Sequence, residues 1–143
     1  MNLKKIFSFI LLIVSSATFV ACGGSSGGSD SDGVGYPESL AGKIMSFDAA
    51  NEFIFDSGNG LTGTRNGFAC SGTYEYKDGV LNMVYEGNFS GQTKLAKLRC
   101  TGTISGYSTD TNAGTYSCRE TDYATQAPTS NPPLSAFVLK DNF

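Results

Sequence analysis

The sequence predicts an all-β fold for residues 36–143: a small antiparallel meander barrel of about seven or eight strands, with a compact β-sandwich as the alternative. Three observations predict it. From Tyr36 onward, short runs of alternating apolar and polar residues are separated by clusters of Gly, Asn, Asp and Ser. No window of ten residues carries a sustained helical stripe. One segment, Thr73 to Glu86, folds two such runs around Asp78-Gly79, a pair suited to a type I′ turn because both central residues of that turn need positive φ.

In chain order, a first hairpin is expected from Lys43 to Asp56, with Met45 opposite Phe55 and Phe47 opposite Phe53 across a loop from Asp48 to Glu52. Asp56-Ser57-Gly58-Asn59-Gly60 reads as a turn, and Leu61 to Thr64 as the start of a third strand. In the central hairpin, pairing Lys77 with Val80 sets Tyr76 against Leu81 and Tyr74 against Met83. Those four and Tyr85 share one face; Thr73, Glu75, Lys77, Asn82 and Glu86 share the other. After a break at Gly87-Asn88-Phe89-Ser90-Gly91, two strands are expected at Thr93 to Ile104 and Ala113 to Thr121, around a turn from Ser108 to Asn112. Ala124 to Pro133 is a loop, since Pro128, Pro132 and Pro133 cannot donate ladder hydrogen bonds, and Leu134 to Lys140 returns as a closing strand. Cys70-Ser71-Gly72-Thr73 is echoed by Cys100-Thr101-Gly102-Thr103, a pattern that a repeated hairpin would produce.

The composition narrows function. The chain has no His and no Trp. Ser/His/Asp and Cys/His nucleophile systems and imidazole metal ligands are therefore excluded, and an enzyme is not expected. No cofactor is expected. Neither is a metal: the cysteines form no close ligand pair, and Asp56 to Gly60 and Asp110 to Gly114 lack the alternating acids and terminal Glu of a calcium loop. Glu75 and Glu86 fall on the predicted outer face, where no cleft would hold an acid pair.

The N-terminus has its own logic. Lys4 and Lys5 precede an apolar stretch from Ile6 to Val20, whose 15 residues would rise roughly 22 Å as a helix, short of a ~30 Å hydrocarbon core. That is the pattern of a signal peptide over residues 1–21 rather than of a spanning helix. Phe19-Val20-Ala21-Cys22 resembles the lipobox of bacterial lipoproteins, with Phe19 where Leu is usual. The resemblance implies diacylglycerol attachment at Cys22, cleavage before it, and a mature N-terminus held in a membrane by two or three acyl chains, where one alone anchors only marginally. Residues 23–35 hold six Gly, four Ser and two Asp, a flexible tether with an end-to-end distance of about 20 Å. In such lipoproteins of two-membrane bacteria an Asp after the cysteine often signals inner-membrane retention, so with Gly23 in that place the resemblance implies the outer membrane. Removing residues 1–21 takes away Lys4 and Lys5 and no acid, so the net charge falls from −3 to −5. Nucleic acid is not an expected partner.

Lipidation of Cys22 leaves Cys70, Cys100 and Cys118 in a compartment that permits disulfides. Pairing Ile104 with Gly114 brings Cys100 opposite Cys118, while the echo favours Cys70 with Cys100; in either case one thiol is left over. Phe53, Phe55, Tyr74, Tyr76, Met83, Tyr85 and Tyr116 form an aromatic interior that either fills the barrel or, left open, faces a small amphipathic ligand. Lys94, Lys97 and Arg99 read either as a charged edge strand or as a docking face for an acidic partner or surface polysaccharide. Leu40-Ala41-Gly42-Lys43 followed by meandering hairpins resembles small lipocalin-like, calycin-like envelope proteins over residues 38–140, which implies ligand binding. Phe68-Ala69-Cys70 and the hairpin after it are similar to membrane-bound inhibitors of host lysozyme, which implies a periplasmic protein-binding or inhibitor module, with an envelope protein as a further candidate partner. A structural surface lipoprotein is the third role compatible with this sequence.

Overall fold

The computed structural model describes residues 35–89 and 94–143. The expected signal peptide, the lipidation site Cys22 and the tether up to residue 34 lie outside the described residues, as does the start of the strand expected from Thr93. Eight strands follow one another: β1 (Lys43–Asp48), β2 (Asn51–Phe55), β3 (Gly60–Arg65), β4 (Phe68–Lys77), β5 (Val80–Gly87), β6 (Ala96–Ser108), β7 (Ala113–Asp122) and β8 (Ala136–Asp141). Each pairs antiparallel with the next, and β8 returns to β1, so the sheet is a closed meander barrel rather than a sandwich.

The β4–β5 hairpin forms in the expected register, Lys77 with Val80 and Tyr74 with Met83, and Asp78 (φ 49°) and Gly79 (φ 79°) both take the positive φ of a type I′ turn. Asn66-Gly67 repeats this geometry between β3 and β4, extending β4 back to Phe68, five residues before the start read from the sequence. The β1–β2 register corrects the sequence reading, because Met45 opposes Phe53 rather than Phe55. The Asp48 carboxylate accepts hydrogen bonds from the Ala50 N–H and the Asn51 side chain, and this tightens the turn. A bulge between Ser46 and Asp48 takes up the remainder, and a two-residue slip leaves every side chain on its expected face. The β6–β7 register is corrected in the same way. Ile104 opposes Tyr116, not Gly114, because the strands run on to Ser108 opposite Ala113 and so place the turn at residues 109–112; one extra β6 residue between Ser105 and Ser108, where Gly106 sits at φ 61°, takes back a single step.

The repeated Cys-x-Gly-Thr does not mark a repeated module. Gly72 opposes Tyr85 of β5 whereas Gly102 opposes Leu81, so the two copies sit four residues apart in height. Their shared feature is an inward glycine pressed by a neighbouring strand. A Cβ on Gly72 would lie 1.9 Å from the Val84 carbonyl oxygen, and one on Gly102 would lie 2.1 Å from that of Ser117. Missing side chains at these points let the strands coil tightly and leave room inside for the large residues opposite.

Both ends of the barrel are covered. At one end Leu40 is buried, Tyr76 donates its hydroxyl to the Pro37 carbonyl, and the Tyr107 N–H bonds the Gly35 carbonyl, so residues 35–42 cap that opening. At the other end the ladder is incomplete, since β7 and β8 pair only at Ala113, Gly114 and Thr115. Beyond them the Ala124–Pro133 segment takes the place of β8 along β7: the Asp122 N–H bonds the Ala127 carbonyl, and the Thr129 N–H bonds that of Glu120. Gly72→Ala tests the tight coiling. The added methyl meets backbone rather than a movable side chain, so a loss of about 1–3 kcal/mol is expected in urea unfolding, whereas an unchanged midpoint would mean that the strands part without cost.

Candidate functional site

Three places concentrate chemistry: the interior rings, a buried ion pair, and the outer wall over β5 to β7. The interior comes directly from strand alternation. Phe53, Phe55, Met83 and Tyr85 are fully buried and Tyr74 nearly so, with Tyr76 partly buried near the capped end. The rings touch one another, Phe53 with Tyr85 at 5.4 Å between centroids and Phe55 with Tyr74 at 4.7 Å, while Phe47 bridges Phe53 and Tyr116 at 6.2 Å from each. Every hydroxyl in this set is already used. Tyr74 donates to the Asp56 carbonyl (2.8 Å), Tyr76 to Pro37, Tyr85 to Glu120, and Tyr116 to the Leu81 carbonyl (2.8 Å). Burial pushes the Tyr76 phenol up to about 12 and those of Tyr85 and Tyr116 higher still, so all three remain neutral donors at any ordinary pH.

At the loop-covered end lies the network that the sequence reading missed. The Arg65 guanidinium, 1% exposed, donates from Nε to Glu120 (2.8 Å), from Nη1 to Asn51 (2.8 Å) and Asn66 (3.1 Å), and from Nη2 to the Pro132 carbonyl (2.6 Å). Glu120 also accepts from Tyr85, from the Thr129 hydroxyl (2.6 Å) and from the Asn131 amide (2.6 Å). The sequence did contain a signal. Arg65 has the inward parity of Leu61 and Gly63, Glu120 has that of Tyr116 and Cys118, and a charged residue on an inward parity needs a partner. Burial alone would raise the Glu120 pKa, but the bonds from Arg65, Thr129, Tyr85 and Asn131 outweigh it and hold the carboxyl below its usual range. With every polar atom engaged, the network fixes the Thr129–Pro132 segment against β3 and β7 and has no free group for chemistry.

The three cysteines divide. Cys100 opposes Glu120 and Cys118 opposes Gly102, so they sit diagonally rather than face to face; their thiols are unbonded, with the sulfurs 2.7 Å apart. Cys100 donates towards Cys118, which raises the pKa of Cys100 and lowers that of Cys118. Cys70 lies two strands from Cys100, opposite Gly87, and burial pushes its thiol up to about 11, the state of a small apolar core residue.

On the outer wall the basic residues do not mark a sheet edge. β6 is flanked by β5 and β7, so the edge-strand account of Lys94, Lys97 and Arg99 is corrected. Lys97 and Arg99 both project outward and converge on the Tyr123 ring, the ammonium 4.5 Å and the guanidinium carbon 4.8 Å from its centroid. Lys94 is exposed just before β6 and lines the same groove as Lys97 and Tyr123. Arg119, which the sequence reading did not select, projects from β7 beside them.

Glu120→Ala leaves the buried Arg65 unpaired and is expected to cost about 3–5 kcal/mol in chemical unfolding, whereas Arg65→Met with Glu120→Leu is expected to recover most of that loss. Because the folded pKa of Glu120 is lowered, its stabilisation is complete above the unfolded carboxyl value near 4.5 and lost as pH falls through the folded value. Glu120→Gln should therefore flatten the acid limb of a stability-against-pH curve, and an unchanged limb would assign acid sensitivity to other carboxylates. In comparison with known proteins the chain matches no family model, no curated protein and no solved structure.

Proposed function

We propose that this chain is a lipid-anchored protein of the bacterial cell envelope, attached through Cys22 to the outer membrane, and that it acts by binding with the outer wall of its barrel rather than by catalysis. The observation that carries the reading is the state of the interior. Its rings are in mutual contact and its four tyrosine hydroxyls are spent on protein acceptors, which supports a filled core and directs recognition to the outside. The absence of His from the whole sequence supports a non-catalytic role. The lipobox-like Phe19-Val20-Ala21-Cys22 and the Gly/Ser tether support the anchor.

In that compartment Cys100 and Cys118 form a disulfide. The Cys118 thiolate attacks the disulfide of an oxidising dithiol protein, and Cys100, losing its proton, displaces the partner cysteine; two protons and two electrons pass to the oxidant. The bridge closes a loop spanning 18 residues of sequence separation and is worth about 3 kcal/mol in the chain-entropy account.

Metabolic labelling with a fatty-acid probe tests the anchor: label is expected in the wild type and lost in Cys22→Ala, and label surviving that substitution would refute lipidation at this residue. Mass spectrometry of the exported barrel, residues 36–143, tests the rest. A native spectrum of bare polypeptide, with a denatured mass two hydrogen atoms below that of the reduced form, is the expected result. A small molecule released on denaturation would return the ligand to the interior, and a fully reduced mass would refute the bridge.

A further inference from the structure

The wall around Arg99 holds two features that the barrel itself does not use. The ion pairs among the described residues join Lys43 to Asp141, Arg65 to Glu120 and Lys97 to Glu86; Arg99 and Arg119 take part in none. The Asn82 side-chain oxygen is buried without a hydrogen-bond partner. Leaving such an acceptor unsatisfied costs about 1–3 kcal/mol, so turning the amide outward to meet a donor on a ligand would relieve it.

Both features line one trough. A groove of about 290 Å³ is formed by Thr73, Tyr74, Glu75, Asn82, Val84, Arg99 and Thr101. A second, of about 380 Å³, shares Arg99 and Thr101 and continues over Arg119, Thr121 and Gln126. Register explains the continuity: Asn82 opposes Thr101, Thr101 opposes Arg119, and Arg99 opposes Thr121, so the outward residues of β5, β6 and β7 form rows across the strands. At the end of the trough the Tyr123 ring draws Lys97 towards Arg99. Lys97, Arg99 and Arg119 thus stand together on a chain whose net charge is −3, or −5 without residues 1–21, so this wall gathers the charge that the molecule as a whole lacks.

We propose that this trough binds an acidic polysaccharide whose carboxylates meet Arg99 and Arg119 and whose hydroxyls donate to Asn82 and Glu75. The assignment rests on the outer-wall reading above and names its ligand class. Charge complementarity requires an anion. The anion must also supply hydrogen-bond donors, because the groove places the Glu75 carboxylate and the free Asn82 oxygen alongside Arg99. A uronic-acid chain carries both groups on every sugar ring. A polyphosphate chain has no hydroxyl to donate and would leave Glu75 and Asn82 without partners. A protein interface would need a buried apolar anchor, and the lining here is hydroxyl, amide and charge apart from Val84 and Tyr74, whose ring is buried on the inner face with its hydroxyl held by the Asp56 carbonyl.

Titration calorimetry on the full lipidated chain in non-ionic micelles tests the proposal, with polygalacturonate and alginate as probes, and maltooligosaccharide and polyglutamate as the neutral and peptide comparisons. Saturable binding of at least one uronate polymer is expected, weakened about tenfold by Arg99→Gln and again by Arg119→Gln. Asn82→Ala, which removes the acceptor without changing charge, should weaken binding at unchanged salt dependence, a result that nonspecific attraction would not give. Circular dichroism of each variant establishes that it remains folded. Absence of binding by either uronate polymer, equal binding of polyglutamate, or indifference to both Arg99→Gln and Asn82→Ala would overturn the proposal; equal polyglutamate binding would assign the wall to an acidic protein. Fatty-acid labelling and the native mass are read separately, so a labelled protein that carries no small molecule and ignores uronates refutes the ligand class and leaves the outer-wall reading standing.

Discussion

The Arg65–Glu120 ion pair holds the barrel closed where its own ladder does not. Over most of the circumference backbone hydrogen bonds join one strand to the next, but β7 and β8 share only three residue pairs. The open stretch is covered by an irregular segment with three prolines, which cannot supply a regular row of donors. Side chains take over that task. Glu120 collects Thr129 and Asn131 from the segment, and Arg65 reaches the Pro132 carbonyl from β3 on the other side. A buried pair of this kind adds little net stability over a well-packed apolar replacement, because desolvating both charges offsets their attraction. What it contributes here is position: the covering segment has one arrangement in which every partner is satisfied.

From that closure the rest follows. With one end sealed by the ion pair and the other by Leu40 and the Pro37 carbonyl, the interior is bounded on all sides and its rings close on one another. Inward glycines opposite large residues, such as Gly72 opposite Tyr85 and Gly114 opposite Phe137, let a narrow barrel hold that many aromatic side chains. A filled barrel leaves its outer wall as the surface for the binding proposed above. Arg99 and Arg119, which join no ion pair among the described residues, and the Asn82 oxygen lie in adjoining rows of β5, β6 and β7.

The sequence revealed the fold more fully than it revealed the site, for physical reasons. Turn chemistry and the two-residue period are local, so the β4–β5 hairpin and its buried face could be read in full. Register elsewhere depends on where each turn sits and on a bulged residue near Ser46–Asp48 or Gly106, neither of which has a compositional signature; the combined errors were slips of two that kept each face and lost each partner. Arg65 and Glu120 are 55 residues apart, and only barrel closure brings them together. Asn66-Gly67 and the inward parity of both charged residues were the available clues. The basic cluster was visible as a string of residues, but its meaning depended on knowing that β6 has a neighbour on each side.

The central claim is that this barrel recognises its ligand on the outside. Amide chemical-shift mapping of the isotopically labelled protein during titration with uronate polymer tests it residue by residue. The account predicts shifts that follow the outward rows, at Asn82, Arg99, Thr101, Arg119 and Tyr123, while Phe53, Tyr85 and the Leu40 cap stay unmoved. Shifts concentrated on those interior and cap residues, with the outer rows silent, would contradict it.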